Sequence, residues 1–333
     1  MTSPSNEYEL LASLQQVLSE HSDLYEVEIG DDAAVRKACS KDKLIFTADL
    51  SVENVHFKRK WMSFHEIGYK AMVTNISDCA SMGAIPESAL IQLIIPETEV
   101  CAEVAIIDMY RGFNEACTKW HFPIIGGDLS RGAQWSIGIT MIGKIPATHR
   151  SMTRKGAQNG DKLWISGFPG RSAAGLDALY KWELRESVPV EYIEYVNAHI
   201  RPCPRVEIGI QLRDHNDVHA MMDLSDGLSK DCRTLAFDND LGIILDFNPS
   251  LFPETMINLG KDLQKKPLEW IINGGEEYEL LFATSPSFTP SITNPAENTN
   301  FICIGEFTNN CKGLYFQTES GLKEITKGGW DHI

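Results

Sequence analysis

The stretch "KAMVTNISDCASMGA", residues 70–84, decides how the chain is read. Positions 71, 75, 78 and 82 fall on one face of a helix. Ala71 and Met82 mark that face as inward, so Asn75 and Asp78 turn toward the interior with them. An inward carboxylate must meet a partner or give up its charge, because an unpaired buried ion is very costly. The helix is expected over 63–84, ending at Gly83, which suits the left-handed position after a helix. The strand-like run "KLIFTADLSV" (43–52) precedes it, and "SALIQLIIP" (88–96), stopped by Pro96, follows. Further on come a helix over 98–120, a strand running into a turn at "FPIIGGDLSRG" (122–132), and the strand "WSIGITMIGKI" (135–145). Before them, Tyr8, Leu11, Leu14 and Leu18 repeat at helical spacing and predict an opening helix.

The polar run "PATHRSMTRKGAQNGD" (146–161) breaks this pattern and sets a domain boundary near residue 148. Beyond it the chain resumes with the strand "KLWISG", the helix "SAAGLDALYKWEL" and two helical stretches in 190–213. The strand "VHAMMDL", the helix "GLSKDCRTLAF", the strand "GIILDF" and late strands at 278–284 and 301–307 complete it. Strands mixed with helices in both halves predict an α/β (α+β) protein of two domains, 1–148 and 149–333. The 333 residues suffice for a core in each.

The net charge of -16 repels nucleic acid, and no local basic patch overrides it. It also repels phosphorylated small molecules unless metal ions intervene. Mean hydropathy is -0.18, with no run long and apolar enough for a membrane helix and no secretory pattern at the start, so a cytoplasmic protein is expected. The eight cysteines include no C-x-x-C pair and read as reduced, mostly buried thiols.

Acids beside small residues at element ends form a short set: Asp31 and Asp32 in "IGDDAAV" (29–35), Asp49 in "TADLSVENVHF", Asp128 in "IIGGDLSRG", and Asp223 and Asp226 in "MMDLSDGL". Asp78 joins them. Each alone has an ordinary explanation: Asp226 as a helix N-cap, Asp128 as a turn residue. Together, with few basic residues near them in sequence, they suit a hard divalent cation such as Mg²⁺, which binds through one or two carboxylates plus substrate phosphates. Gly126, Gly127 and Gly132 would let backbone N–H groups approach phosphate oxygens. Neither the Walker A nor the Rossmann glycine pattern is present. "NGGEEYELLF" (273–282) is either a Gly-Gly turn with solvated glutamates or a pocket rim where Glu276 accepts a hydrogen bond from a ligand amine. His56 in "VENVHF" could bond a phosphate or be structural.

Set side by side, these segments resemble the thiamine-monophosphate kinase family of the AIR synthase-related superfamily. The matching pieces also include "MTRKGAQNGDKLWISG", "GRSAAGL" and the terminal "GGWDHI", in the family's order from about residue 29 onward. The resemblance implies a two-domain AIR synthase-like fold, the first domain carrying metal and ATP phosphate sites and dimerisation, the second completing the nucleotide and thiamine-phosphate sites. It implies ATP-dependent phosphorylation of thiamine monophosphate to thiamine diphosphate with several Mg²⁺ ions, in a homodimer whose N-terminal sheets pair across a two-fold axis. By motif, Asp32, Thr47, Asp49, Asp78, Asp128, Asp223 and Asp226 fall on metal positions, Asp78 and Asp128 being the most critical. Tyr110, Gly127, Asp128, Arg154 and Ser225 fall on ATP positions. His56, Glu276 and Trp330 fall on thiamine-phosphate positions. Two residues depart from the pattern: Ala48 stands where Thr or Ser is usual, and Glu277 where Asp is usual.

An acceptor that is already a phosphate is mostly dianionic at pH 7 and needs little general-base help. Direct in-line transfer without a nucleophilic Ser or Cys and without a phospho-enzyme is therefore expected. The alternatives are a sister enzyme of the superfamily (aminoimidazole-ribotide synthase, selenophosphate synthetase or a hydrogenase-maturation protein), a non-catalytic nucleotide or thiamine-phosphate sensor, and a metal-dependent phosphatase. Selenophosphate synthetase would want a reactive Cys near the N-terminus and the maturation protein one at the C-terminus, whereas the first here is Cys39 and the chain ends "WDHI".

Overall fold

A computed structural model of the chain describes residues 16–18, 23, 25–27, 35–36, 42–247, 251–290, 301–318, 320–326 and 328–330. Asp31, Asp32, most of the expected opening helix and the last three residues of "GGWDHI" lie outside them. The chain divides into two compact units: Met1–Cys79 with Ala84–Thr148, and Ala80–Gly83 with His149–Ile333.

In the first unit, β1 (Tyr25–Val27) pairs antiparallel with β2 (Val35–Arg36). A four-stranded sheet follows, built from β3 (Asp42–Val52), β4 (Ile85–Pro96), β5 (Ile124–Gly132) and β6 (Ser136–Pro146) in the order β3-β6-β4-β5. Only β4 and β5 run parallel. They are joined through α2 (Ala102–Trp120), and α1 (Phe64–Ser81) links β3 to β4. The helices cross at two glycines. A Cβ on Gly68 would stand 2.1 Å from the Met109 carbonyl oxygen, and one on Gly112 1.9 Å from that of His65. Ile137, Ile139 and Met141 of β6 and Ile91 and Leu93 of β4 are buried on one face of the sheet. Gly143 of the same face lies against Cys79 of α1, so this face is the helix-covered one.

The opposite face is open, and along β3 it is apolar. Phe46 and Leu50 are 66% and 57% exposed, and Leu44 and Ile94 are also exposed. Phe46 stands in register with Ile142, and Leu50 with Gly138.

The stretch 122–132 is not a strand ending in a turn: β5 continues to Gly132, with Asp128 paired in register to Gln92. Cross-strand fit explains the Gly-Gly pair that suggested a turn. A Cβ on Gly127 would come within 1.9 Å of the Ile91 carbonyl oxygen, so strand pairing demands glycine there whatever binds later.

The second unit holds a seven-stranded sheet in the order β13-β12-β9-β11-β7-β10-β8. Its strands are β7 (Lys162–Ile165), β8 (Val218–Asp223), β9 (Gly242–Leu245), β10 (Leu280–Thr284), β11 (Ile302–Thr308), β12 (Gly313–Thr318) and β13 (Gly321–Glu324). Its helices are α3 (Arg171–Trp182), α4 (Ile193–Ile200), α5 (Val206–Asp214), α6 (Leu228–Asp238), α7 (Glu254–Leu263) and α8 (Pro267–Asn273). Leu163, Ile165, Met222 and Leu281 of the sheet pack with Leu228, Cys232 and Leu235 of α6 in one core. The sequence pattern did not anticipate α7, α8, β12 or β13. Among the described residues, no helix is long and apolar enough to cross a membrane. The described cysteines are free, and Cys79, Cys117 and Cys232 are buried, but Cys101 and Cys303 are exposed, contrary to the expectation for most of them.

Candidate active site

Strand β3 and helix α1 bring three of the expected residues together. Thr47 donates its hydroxyl to the Asp78 carboxylate across the gap between strand and helix. Asp49, two residues along on the same face, meets Asp78 as well. Its surface is open to solvent, yet crowding by protein atoms and then the Asp78 charge push its carboxyl up to about 7. Two carboxylates held this close repel each other, and a cation between them would relieve that repulsion. Thr74 also hydrogen-bonds Asp49, in the opposing direction, lowering its pKa. Asn75, fully buried, donates to the Thr74 hydroxyl at 3.2 Å. Thr74 was not singled out from sequence, since a threonine within a helix carries no signal until the strand opposite is known.

Asp128 is not part of this group. It lies on β5, at the far edge of the sheet with β6 and β4 between, about 14 Å away at the usual strand spacing. Its register with Gln92 puts it on the open face, whereas Asp49, in register with Ile139, is on the helix-covered face. Ala48, the departure from the family pattern, also points to the open face, in register with Thr140. The hydroxyl it lacks is thus missing from Asp128's side of the sheet and not from the Thr47–Asp49–Asp78 group. Among the described residues, no three His, Cys, Asp or Glu side chains gather as a metal cluster. A pair of carboxylates with a threonine hydroxyl still fits Mg²⁺, which commonly takes one or two carboxylates and fills its remaining positions with water and phosphate.

Elsewhere in the first unit, His56 accepts the Val52 N–H on Nδ1 at 3.0 Å, which puts the proton of a neutral ring on Nε2. Tyr110, on α2, is 3% exposed with its ring edge-on to Phe113, and burial pushes its hydroxyl far up. In a single copy it is not at the surface.

The second unit ties together three segments far apart in sequence. After β8 the chain makes the "DLSDGL" loop. Glu276 donates its N–H to the Ser225 carbonyl at 2.7 Å, and Tyr278 donates to Leu224 at 2.9 Å. Trp330 donates its N–H to the Asp226 carbonyl at 2.7 Å, and its own carbonyl accepts from Lys230 at 2.8 Å. Asp223, Ser225, Asp226, Glu276 and Trp330 therefore share one neighbourhood. Trp330 remains 50% exposed there. Glu276 and Tyr278 adopt left-handed φ values of 59° and 54°. Two such non-glycine residues in one short loop cost about 1 kcal/mol or more each, and the hydrogen bonds to 224 and 225 hold them in place.

Asp226 is not a helix cap. The cap position of α6 is Gly227, and Asp231 accepts the N–H groups of Asp226 and Gly227 at 3.2 and 3.1 Å. Asp226 instead pairs with Lys230 at 2.9 Å. Burial, then the Asp226 charge, push Asp231 up to about 7. Arg154 is exposed on the segment before β7, its carbonyl bonded to Asn239 at 2.8 Å.

Glu277 is not solvated. It is buried and accepts the Ser172 N–H at the start of α3 at 3.0 Å. Burial pushes it from 4.5 up to about 8. The folded state thus binds this proton more tightly than the unfolded chain, and the stability associated with it is lost as pH rises from 4.5 toward about 8. Glu277→Gln keeps the acceptor for Ser172 and removes the titration. Its melting temperature is expected to match the parent's below about pH 4 and to exceed it by about 2 °C or more above pH 8, read by calorimetry.

Residues 30–145 match the family described as AIR synthase related protein, N-terminal domain. The thiamine-monophosphate kinase of Bacillus subtilis (strain 168) is 34% identical over 279 residues, covering 83% of this chain and 82% of that protein. The chain belongs to the thiamine-monophosphate kinase family. Solved structures similar to this member of the thiamine-monophosphate kinase family include the enzyme of Stenotrophomonas maltophilia K279a. It has a TM-score of 0.78 and 27% identity, covering 94% of this chain and 96% of that one. A second, AaThiL complexed with AMPPCP and TMP, has a TM-score of 0.76 and 29% identity, covering 98% and 97%. The fold is the AIR synthase-like one that the sequence motifs implied.

Proposed function

We propose that this member of the family transfers the γ-phosphoryl group of ATP to the phosphate of thiamine monophosphate, giving thiamine diphosphate and ADP in the cytoplasm, as the last step of thiamine diphosphate formation. The observation that carries the reading is the Asp49–Asp78 pair, two like charges held against each other on an enzyme of kinase kinship. Thr47, Asp49 and Asp78 would hold Mg²⁺, with Asp32, Asp128, Asp223 and Asp226 the further ligands implied by motif. For Asp226 to serve, Lys230 must release it or share it. When bound, Mg²⁺ supplies the positive charge that offsets repulsion between the two phosphates.

The chain's own residues then bind and align. Arg154 adds positive charge to the ATP polyphosphate, alongside Gly127, Ser225 and Tyr110. The exposed indole of Trp330 stacks on a thiamine ring, Glu276 holds the amino group and His56 contacts the phosphate. No side chain need act as nucleophile, because the acceptor phosphate is itself one. Incubation with ATP, Mg²⁺ and thiamine monophosphate should yield thiamine diphosphate, with free thiamine unreactive. A product only from free thiamine, or none at all, overturns the assignment. Trp330→Ala is expected to raise KM for thiamine monophosphate about tenfold and to leave KM for ATP within twofold, since stacking of this kind supports one substrate only.

The homodimer belongs to the same proposal. The open face carrying Leu44, Phe46, Leu50 and Ile94 supports it, because a folded chain rarely leaves a contiguous apolar sheet face in water. Two such sheets pairing about a two-fold axis that runs along the strands would set the β5 edge of one copy against the β3 edge of the other. Asp128, on the open face at the β5 edge, would then line the seam where the β3 edge of the opposite copy, with its Thr47 and Asp49, arrives.

A further inference from the structure

Behind Glu276 lies a buried polar pair that the proposed reaction has not used. His199, in the last turn of α4, is 4% exposed. Its Nδ1 stands 3.1 Å from the Ser172 hydroxyl and 3.5 Å from Glu276 Oε2. Both neighbours come from other segments. Ser172 begins α3, which packs tightly on α4: a Cβ on Gly175 would lie 2.0 Å from the Tyr195 carbonyl oxygen. Glu276 comes from the left-handed loop pinned to Leu224 and Ser225. The imidazole therefore sits in a fixed frame, while the carboxylate it faces is partly open to solvent.

We propose that His199 is a positioning residue for Glu276, holding its carboxylate plane so that the acid presents a fixed acceptor to an amino-bearing heteroaromatic ring. This deepens the thiamine-phosphate reading of Glu276 and rests on it. With the proton on Nδ1, the imidazole donates to the Ser172 oxygen at 3.1 Å and turns the same polar edge toward Oε2 at 3.5 Å. The loop backbone fixes where Glu276 starts, and His199 fixes how its side chain ends. Without His199 the carboxylate keeps its place in the chain but gains rotational freedom, which must be lost again when the ligand binds. The cost falls on the substrate that Glu276 recognises, not on ATP.

The test measures KM for thiamine monophosphate and for ATP separately in His199→Phe, His199→Asn, Glu276→Gln and the double variant His199→Phe/Glu276→Gln. Loss of a polar contact of this kind corresponds to a change of up to about tenfold. His199→Phe should raise KM for thiamine monophosphate by about tenfold with KM for ATP within twofold. His199→Asn, which keeps a donor near the Nδ1 position, should recover most of that loss. The double variant should be no worse than Glu276→Gln alone, because the two residues act as one unit. Should His199→Phe not fold, His199→Gln, which moves the amide away from the Nδ1 position, carries the same comparison. The proposal is overturned if Glu276→Gln raises KM for thiamine monophosphate and His199→Phe does not, or if His199→Phe raises both KM values alike. Glu276→Gln without effect is a distinguishable failure: it removes the thiamine-phosphate role of Glu276, and the His199 role with it.

Discussion

Asp78→Asn should lower kcat for thiamine diphosphate formation by about a thousandfold or more while leaving the fold intact. The two halves of that expectation have the same physical origin. Asp78 sits against Asp49 and accepts the Thr47 hydroxyl. Amide for carboxylate changes the volume little and keeps an acceptor for Thr47, so packing survives. It also removes the like charge that helps hold Asp49 near 7, so the melting temperature should stay level or rise slightly. What is lost is negative charge for a divalent cation. Near-normal turnover at saturating Mg²⁺ would mean that Asp78 plays no part in holding one. A collapse in melting temperature would mean that Asp78 is a structural acid.

The second large effect needs two inactive proteins. Asp78→Asn and Asp128→Asn are each expected to be inactive, yet after mixing, unfolding and refolding together they should regain about a quarter of parental activity. The arithmetic follows from a two-fold dimer in which Asp128 serves the opposite copy. About half of the randomly assembled dimers are hybrids, and each hybrid has one site with both substitutions and one site with neither. If Asp78 and Asp128 served the same copy, both sites of a hybrid would carry one substitution and no activity would return. The β3 and β5 edges lie at opposite ends of the sheet, about 14 Å apart at the usual strand spacing, which favours the first outcome.

The sequence made some of this legible and hid the rest for physical reasons. The 63–84 helix and the strands on either side were readable because their apolar residues keep the helix and strand periods over many positions. Asp78 was readable as an acid turned from solvent by its helical face, and the structure leaves it half-buried against β3. The turn expected at Gly126–Asp128 was misread, because glycine there answers to the Ile91 carbonyl across the sheet, a constraint that local propensity does not contain. β13 was missed for a related reason: all four of its residues are exposed, so pairing with β12 and not burial makes it a strand. Glu277 looked like a solvated neighbour of Glu276, and only the arrival of Ser172, 105 residues earlier in the chain, reveals it as buried. His199 offered no signal at all, since a lone histidine gains meaning only from the serine and glutamate the fold sets beside it.

Cation binding itself is the most direct test of the claim that acids of β3 and α1 hold the ions that let two phosphates meet. Mn²⁺ bound per chain can be counted by electron paramagnetic resonance, with a non-hydrolysable ATP analogue and thiamine monophosphate both present. The parent should hold more Mn²⁺ than Asp49→Asn or Asp78→Asn under the same conditions, by at least about one ion per chain. Equal Mn²⁺ in all three proteins would contradict the account, because the paired carboxylates would then hold no ion.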